Sequence, residues 1–249
     1  MKKFIIEQSP PLMGEITVSG AKNSVLKIMA ATLLAEGECT IDDVPDLLDV
    51  HVMIDILREL GSDVEYDKEK GQLKTLVVDK TKHSVSYDLT AKMRASIVVM
   101  GALLARSNQA QVALPGGCAI GARPIDLHIK GFTSLGVNVT MEHGFVEGRV
   151  PDRMRGSHIY LDFPSVGATE NIMMAAVLAE GTTILENAAQ EPEITDLASF
   201  LVKMGAKISG AGTSTIRIKG VSHLKGVYHQ VIPDRIEAGT YMLATAVTK

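Results

Sequence analysis

The residues best suited to chemistry lie in VALPGGCAIGARPIDLH, residues 112–128. An apolar run leads into Pro115-Gly116-Gly117, strong turn-forming chemistry. Cys118 follows, then Gly121, Arg123-Pro124 and a helix-like stretch that carries Asp126 and His128. Two glycines ahead of a thiol give a backbone free to close over a ligand. A nearby cation such as Arg123 favours thiolate and lowers a cysteine's pKa, which separates reactive cysteines from inert ones. A lone cysteine otherwise reads as a small buried hydrophobe. The Pro-Gly-Gly turn weighs against that here, because a core strand has no use for such flexibility.

Three further groups stand at helix-like starts: Lys22-Asn23, Lys92-Met93-Arg94 and Ser165-Val166-Gly167-Ala168-Thr169. Backbone N–H groups at a helix N-terminus bind anions, and added Lys or Arg strengthens the site. A lysine there opposes the macrodipole, and an anion between them removes the conflict. Singly, each of these residues reads as a solvated surface charge. Together with Cys118 and Arg123 they point to one anion-binding site. His51, His83, His128, His143, His158, His223 and His229 are scattered without metal-ligand spacing, and neither a Walker loop nor GxGxxG occurs. Glu191, Glu193 and Asp196 read as helix-start acids suited to the macrodipole.

The elements that must position these groups repeat. A first helix runs through Met29–Ala35 and ends at Gly37, a strand covers Cys39–Ile41, a second helix covers Leu48–Leu60 before Gly61, and a strand covers Val64–Tyr66. The order recurs with helix Met100–Ala105, strand Gln111–Leu114 and helix Asp126–Leu135 before Gly136. It recurs again with helix Met174–Ala179, strand Thr183–Leu185 and helix Ile194–Met204 before Gly205. The stop glycines lie 75 and 69 residues apart (136−61; 205−136). Units of about 70 residues are too long for a solenoid and fit three α/β units around one centre. Small pairs on the first helices (Ala30-Ala31, Gly101-Ala102, Ala175-Ala176) predict that these helices pack inside. Phe4–Ile6 and Glu15–Val18 read as strands, and Asp234–Val247 as the first helix of a fourth unit that stops short, which favours a chain that is the front part of something longer.

With 249 residues, 46% of them hydrophobic and 22% charged, the chain reads as an ordinary globular protein. A net charge of −4, 4% aromatics and no Trp offer no basic face or stacking platform for nucleic acid. Two cysteines, Cys39 and Cys118, form no disulfide framework and suit a reducing compartment. MKKFIIEQSPPLMGEI is neither a secretory signal nor a membrane span, so the expected localisation is cytoplasmic.

SGAKN (19–23), KMRAS (92–96), LPGGCAIGARPIDLH (114–128), SVGATEN (165–171), ENAAQEPEI (186–194) and PDRIEAGT (233–240) resemble the UDP-N-acetylglucosamine 1-carboxyvinyltransferase family of enolpyruvyl transferases. The resemblance runs over the whole chain, and the cysteine loop separates it from the related shikimate-pathway enzymes. It implies an inside-out α/β barrel of repeated β-α-β-α-β-β units, three complete, with a second domain truncated. Residues 21–231 would form the complete domain, and 1–20 and 232–249 would be pieces of the second. The implied reaction moves the enolpyruvyl group of phosphoenolpyruvate to the 3-hydroxyl of UDP-N-acetylglucosamine and releases phosphate. This is the first committed step of peptidoglycan precursor synthesis and the step fosfomycin blocks.

Carried over residue by residue, the resemblance implies that Lys22 and Asn23 bind phosphoenolpyruvate. Arg94 would touch the nucleotide-sugar phosphates or the closing loop. Cys118 would be the general acid, with Arg123 and Lys22 beside it in the catalytic set. Arg123-Pro124-Ile125-Asp126-Leu127 and Phe163-Pro164-Ser165-Val166 would hold the uridine and diphosphate. No cofactor or metal is implied, nor any nucleic-acid or membrane partner. Full-length members are expected to be monomeric, with self-association open to a truncated chain. The family's proposed base, an aspartate, and an arginine that grips phosphoenolpyruvate have no counterpart here. The competing reading is therefore a truncated, non-catalytic UDP-sugar binder; a repeat scaffold leaves the cysteine loop without purpose.

Overall fold

The computed structural model describes residues 3–5, 7, 13–92, 97–113 and 125–248. The first unit holds α1 (Lys22–Ala31), which runs into a single 3-10 turn, then β1 (Ala35–Glu36), β2 (Cys39–Asp42), α2 (Leu48–Glu59), β3 (Ser62–Asp67) and β4 (Gln72–Val77). The second holds α3 (Tyr87–Lys92), α4 (Val99–Ser107), β5 (Gln109–Ala113), α5 (Asp126–Ser134), β6 (Asn138–Glu142) and β7 (Phe145–Arg149). The third holds β8 (His158–Tyr160), α6 (Val166–Ala176), β9 (Thr182–Glu186), α7 (Pro192–Met204), β10 (Lys207–Ser209) and β11 (Thr215–Lys219). β12 (Leu224–Lys225), β13 (Tyr228–Gln230) and α8 (Arg235–Thr248) follow.

Each unit builds the same sheet. The orders are β13-β2-β4-β3, β5-β7-β6 and β8-β9-β11-β10. In each sheet one parallel partner flanks the strand that precedes the outer helix: β13 on β2, Ser84 on β5, and β8 on β9. The other pairings in these three sheets are antiparallel. β13 comes after the third unit and pairs with the first unit's sheet, while β12 pairs with β1, so the end of the repeat is tied back to its beginning.

The inner helices α1, α4 and α6 carry the core, with Val25, Ile28 to Ala31, Val99 to Leu104 and Ile172 to Ala176 buried. The small pairs do what their size allows. A Cβ on Gly101 would lie 2.2 Å from the Asn171 carbonyl oxygen, so α4 and α6 touch backbone to backbone at that point. Gly61, Gly136 and Gly205 adopt φ of +84°, +89° and +114°, the left-handed conformation that ends α2, α5 and α7. The glycine spacing read from the sequence thus marks one recurring structural event.

Several expectations are corrected. Residues 3–5 and 13–19 form no strand; Phe4, Ile5 and Ile16 are exposed, and no neighbouring strand pairs with them. The first helix does not reach Ala35, because the chain leaves through the 3-10 turn to place Ala35–Glu36 beside β12. Lys92 closes the short α3 instead of opening an inner helix. The fourth helix forms as expected, yet α8 buries none of its residues. Among the described residues, no helix is long and apolar enough to cross a membrane.

Candidate functional site

The beginning of α1 has no side-chain cap from Ala21. The Lys22 N–H donates to Asp234 Oδ2 at 3.2 Å, and the Asn23 N–H meets no acceptor among the described residues. Such orphan donors make a helix start attractive to anions. Lys22 is exposed, and its Nζ lies 3.3 Å from Asp49 Oδ2 on α2. Asp49 eases the lysine's conflict with the macrodipole. Being solvated, the pair holds Lys22 only weakly.

α6 opens with Ser165, whose Oγ accepts from the Ala168 N–H at 3.3 Å. The N–H groups of Val166 and Gly167 meet no acceptor among the described residues. Phe163 and Pro164 stand exposed ahead of them. The start of α5 is adjacent: Ile125 and Leu127 are half-buried, Asp126 is exposed, and Lys130 Nζ bridges to Asp162 at 2.7 Å. The buried His128 ring faces Gly167, where a Cβ would lie 3.5 Å from its Nε2.

The structure therefore brings residues 125–128 and 163–167 together. It sets Lys22 and Asn23 at the same end of the molecule, because Lys27 in the second turn of α1 reaches Glu170 in the second turn of α6 at 3.4 Å. Arg94, Cys118, Arg123 and Pro124 lie outside the described residues, in the segments that lead into α4 and α5.

Sequence reasoning passed over the buried polar groups beneath this end. Glu170 is fully enclosed, and among the described residues only the Lys27 ammonium meets its carboxylate. Burial pushes its carboxyl up to about 7 despite the Lys27 ammonium, with Glu193 and Glu191 adding to the rise. Lys27 Nζ also donates to the Asn23 carbonyl at 2.7 Å, which links the pair to the first turn of α1. Burial holds His128 down at about 4, only partly opposed by Asp126. Asn171 donates to His128 Nδ1 at 3.0 Å. The signal that could have found these groups is a polar residue on an otherwise apolar helical stripe: His128 four residues before buried Phe132, and Thr169-Glu170-Asn171 inside ATENIMMAA.

The acids at the start of α7 do more than complement its dipole. Glu193 is buried and receives Arg235 Nε at 3.0 Å. Asp196 accepts from Ser24 Oγ at 2.5 Å and contacts His229 Nε2 at 2.9 Å, which ties α7 to α1 and to the end of the repeat. Among the described residues no group of three His, Cys, Asp or Glu side chains could hold a metal ion. A cleft of about 640 Å³ lies at the opposite ends of the inner helices beside Leu34, Ala105 and Leu178, away from the helix starts.

The family profile described as EPSP synthase (3-phosphoshikimate 1-carboxyvinyltransferase) matches residues 6–249. The chain belongs to this family. It is 59% identical over 246 residues to UDP-N-acetylglucosamine 1-carboxyvinyltransferase 1 of Caldanaerobacter subterraneus, covering 99% of this chain and 58% of the relative. It is 56% identical to UDP-N-acetylglucosamine 1-carboxyvinyltransferase 2 of Carboxydothermus hydrogenoformans, covering all of this chain and 59% of that one. The chain thus spans somewhat over half the length of the curated relatives it matches. Among solved structures, the enolpyruvyl transferase NikO from Streptomyces tendae superposes with a TM-score of 0.83 at 25% identity, over 94% of this chain and 55% of that one. EPSP synthase from Acinetobacter baumannii shares the fold with a TM-score of 0.69 at 20% identity, over 92% of this chain and 52% of that one. Enolpyruvyl-transferase fold and family are established by these matches.

Proposed function

We propose that this chain binds phosphoenolpyruvate and UDP-N-acetylglucosamine for transfer of the enolpyruvyl group to the sugar 3-hydroxyl, with release of phosphate. The observation that carries the reading is the gathering of helix starts whose N–H groups, those of Asn23 on α1 and Val166 and Gly167 on α6, meet no acceptor among the described residues, beside the start of α5. Two anionic substrates call for such donors, and the names of the relatives at 55–59% identity supply the substrate class.

On this reading Lys22 and Asn23 take phosphoenolpyruvate, while Arg94, the stretch Arg123-Pro124-Ile125-Asp126-Leu127 and the stretch Phe163-Pro164-Ser165-Val166 take the nucleotide sugar. Cys118 donates a proton to the enol methylene as the sugar 3-hydroxyl gives its proton to a base that none of these residues supplies and its oxygen bonds to the adjacent carbon. Loss of a methyl proton and of phosphate then restores the double bond on the product. Arg123 and Lys22 offset the phosphate charge during both steps. Residues 21–231 act as the folded unit, with 1–20 and 232–249 serving a second domain, and the protein works in the cytoplasm on peptidoglycan precursors. The experiment is phosphate release from the two substrates, run beside calorimetric binding of UDP-N-acetylglucosamine and of shikimate 3-phosphate. Phosphate release with the sugar nucleotide alone supports the reading. Saturable sugar-nucleotide binding without release reduces it to the binding half, and preference for shikimate 3-phosphate overturns it.

A further inference from the structure

We propose that Asn171 is a positioning residue that holds His128 as a neutral Nε2–H donor at the start of α6, where it serves an anionic oxygen of the bound ligand. The ligand half rests on the reading that the start of α6 binds the sugar nucleotide; the Asn171 half rests on hydrogen bonds alone.

Asn171 is fully buried. In a regular helix the Gly101 N–H would close on the Ile97 carbonyl four residues back. Instead the Asn171 carboxamide is spliced into that gap: Gly101 N–H donates to Oδ1 at 2.7 Å, and Nδ2 donates to the Ile97 carbonyl at 3.0 Å. A backbone N–H can only donate and a carbonyl can only accept, so the amide has one permitted orientation. Its second Nδ2 proton then faces His128 Nδ1 at 3.0 Å. Nδ1 must therefore present its lone pair, and a neutral imidazole so held carries its proton on Nε2. Enclosure keeps the ring neutral, since its pKa is pushed down to about 4 with only Asp126 pulling the other way.

The Nε2 edge looks toward Gly167 and meets no hydrogen-bond partner among the described residues. It stands beside the N–H groups of Val166 and Gly167, which meet no acceptor among the described residues. A neutral donor adds a third hydrogen bond for an anion there without the cost of burying another charge. The backbone of α4 thus dictates, through one side chain of α6, which nitrogen of an α5 histidine carries the proton.

Long-range nitrogen–proton NMR on the histidine-labelled 249-residue chain reads the tautomer directly. Ligand-free wild type should show a protonated Nε2 and a bare Nδ1, unchanged from pH 8 down to about pH 5. Asn171→Asp removes the donor, so His128 should move its proton to Nδ1 and titrate at least about one unit higher beside the carboxylate. UDP-N-acetylglucosamine should shift the wild-type Nε2–H resonance and bind N171D roughly tenfold more weakly, the size of one lost hydrogen bond. A wild-type ring that is protonated on Nδ1, or that titrates at pH 6 or above, overturns the proposal whatever the ligand does, and needs no variant to fold. Sugar-nucleotide binding that leaves the His128 resonances unmoved also overturns it. Absence of any such binding, with the tautomer as expected, sinks the proposed function and the ligand half while upholding the part played by Asn171.

Discussion

Glu170 offers a quantitative check on how this core is built. Its carboxyl lies wholly inside, held up at about 7 against an ordinary 4.5 by burial, with the Lys27 ammonium at 3.4 Å opposing the rise. Because the folded pKa is the higher one, the fold favours the protonated form. The associated stability is complete below pH 4.5 and is lost as pH rises through 7. Raising the carboxyl from 4.5 to about 7 corresponds to about 3 kcal/mol. Glu170→Gln resembles the protonated acid and cannot ionise. The stability of the variant minus that of wild type should therefore climb by about 3 kcal/mol between pH 4.5 and pH 8.5, or roughly 10 °C of melting temperature in a chain of this size.

Thermal melts of both proteins across that range measure the difference, and any constant offset from the substitution cancels in the slope. Lys27→Met should move the loss to still higher pH, since it removes the cation that lowers the Glu170 pKa. Parallel wild-type and E170Q curves would mean that Glu170 does not titrate here. A wild type that gains on E170Q as pH rises would mean that Lys27 holds the carboxylate ionised, and the burial argument would be refuted.

Limited alkylation with peptide mapping should label Cys118 before Cys39, because burial pushes the Cys39 thiol up to about 11. Fosfomycin should follow the same preference, and first labelling of Cys39 would contradict it. In protein that turns over, Cys118→Ser should slow phosphate release by roughly 10²–10⁴ with little change in melting temperature, whereas a packing thiol would show the reverse. Gly101→Ala forces a methyl to within 2.2 Å of the Asn171 carbonyl oxygen. It should cost about 1–3 kcal/mol in denaturant unfolding, and a neutral result would deny the close contact of α4 with α6. Brief proteolysis should remove residues 1–20 and α8 first, since α8 buries nothing, unless self-association shields them. A monomer whose two ends resist as long as residues 21–231 would refute that boundary.

What the sequence made legible is what repeats locally. Gly61, Gly136 and Gly205 could be matched because each ends a helix by a conformation written in one residue. The small pairs on the inner helices were readable for the same reason. The strands expected at Phe4–Ile6 and Glu15–Val18 were misread because apolar character says nothing about whether a partner strand exists. The linkage of Gly101, Ile97 and His128 through Asn171 was out of reach. Its three bonds span 70, 74 and 43 residues, and each joins helices that periodicity can only describe one at a time. Lys92 was placed on the wrong helix because α3 is a single short segment with no apolar period of its own.

The distribution of buried polar side chains supplies the remaining argument for where this fold does its work. Thr32, Ser62, Thr75, Thr90, Thr183 and His229 are buried elsewhere, but on the four long helices that start at this end the buried polar residues, Ser24 on α1, His128 on α5, Thr169, Glu170 and Asn171 on α6, and Glu193 and Asp196 on α7, all fall in the first two turns. The later turns are apolar: Met29 to Ala31, Phe132, Met173 to Ala176, and Leu197 with Phe200 and Leu201. A buried polar group without a partner costs about 1–3 kcal/mol, and an apolar residue of similar size avoids that risk. Packing alone would therefore spread such groups thinly instead of gathering them at one end. Most are satisfied across helices, Ser24 by Asp196, Asn171 by His128 and Gly101, Thr169 by the Ala189 N–H, and Glu193 by Arg235. This network fixes the relative rotation of helices whose first N–H groups must point at one place, which apolar contacts, being non-directional, cannot do. Glu170 is the one of the seven whose charge partner, Lys27, links it directly to the start of α1.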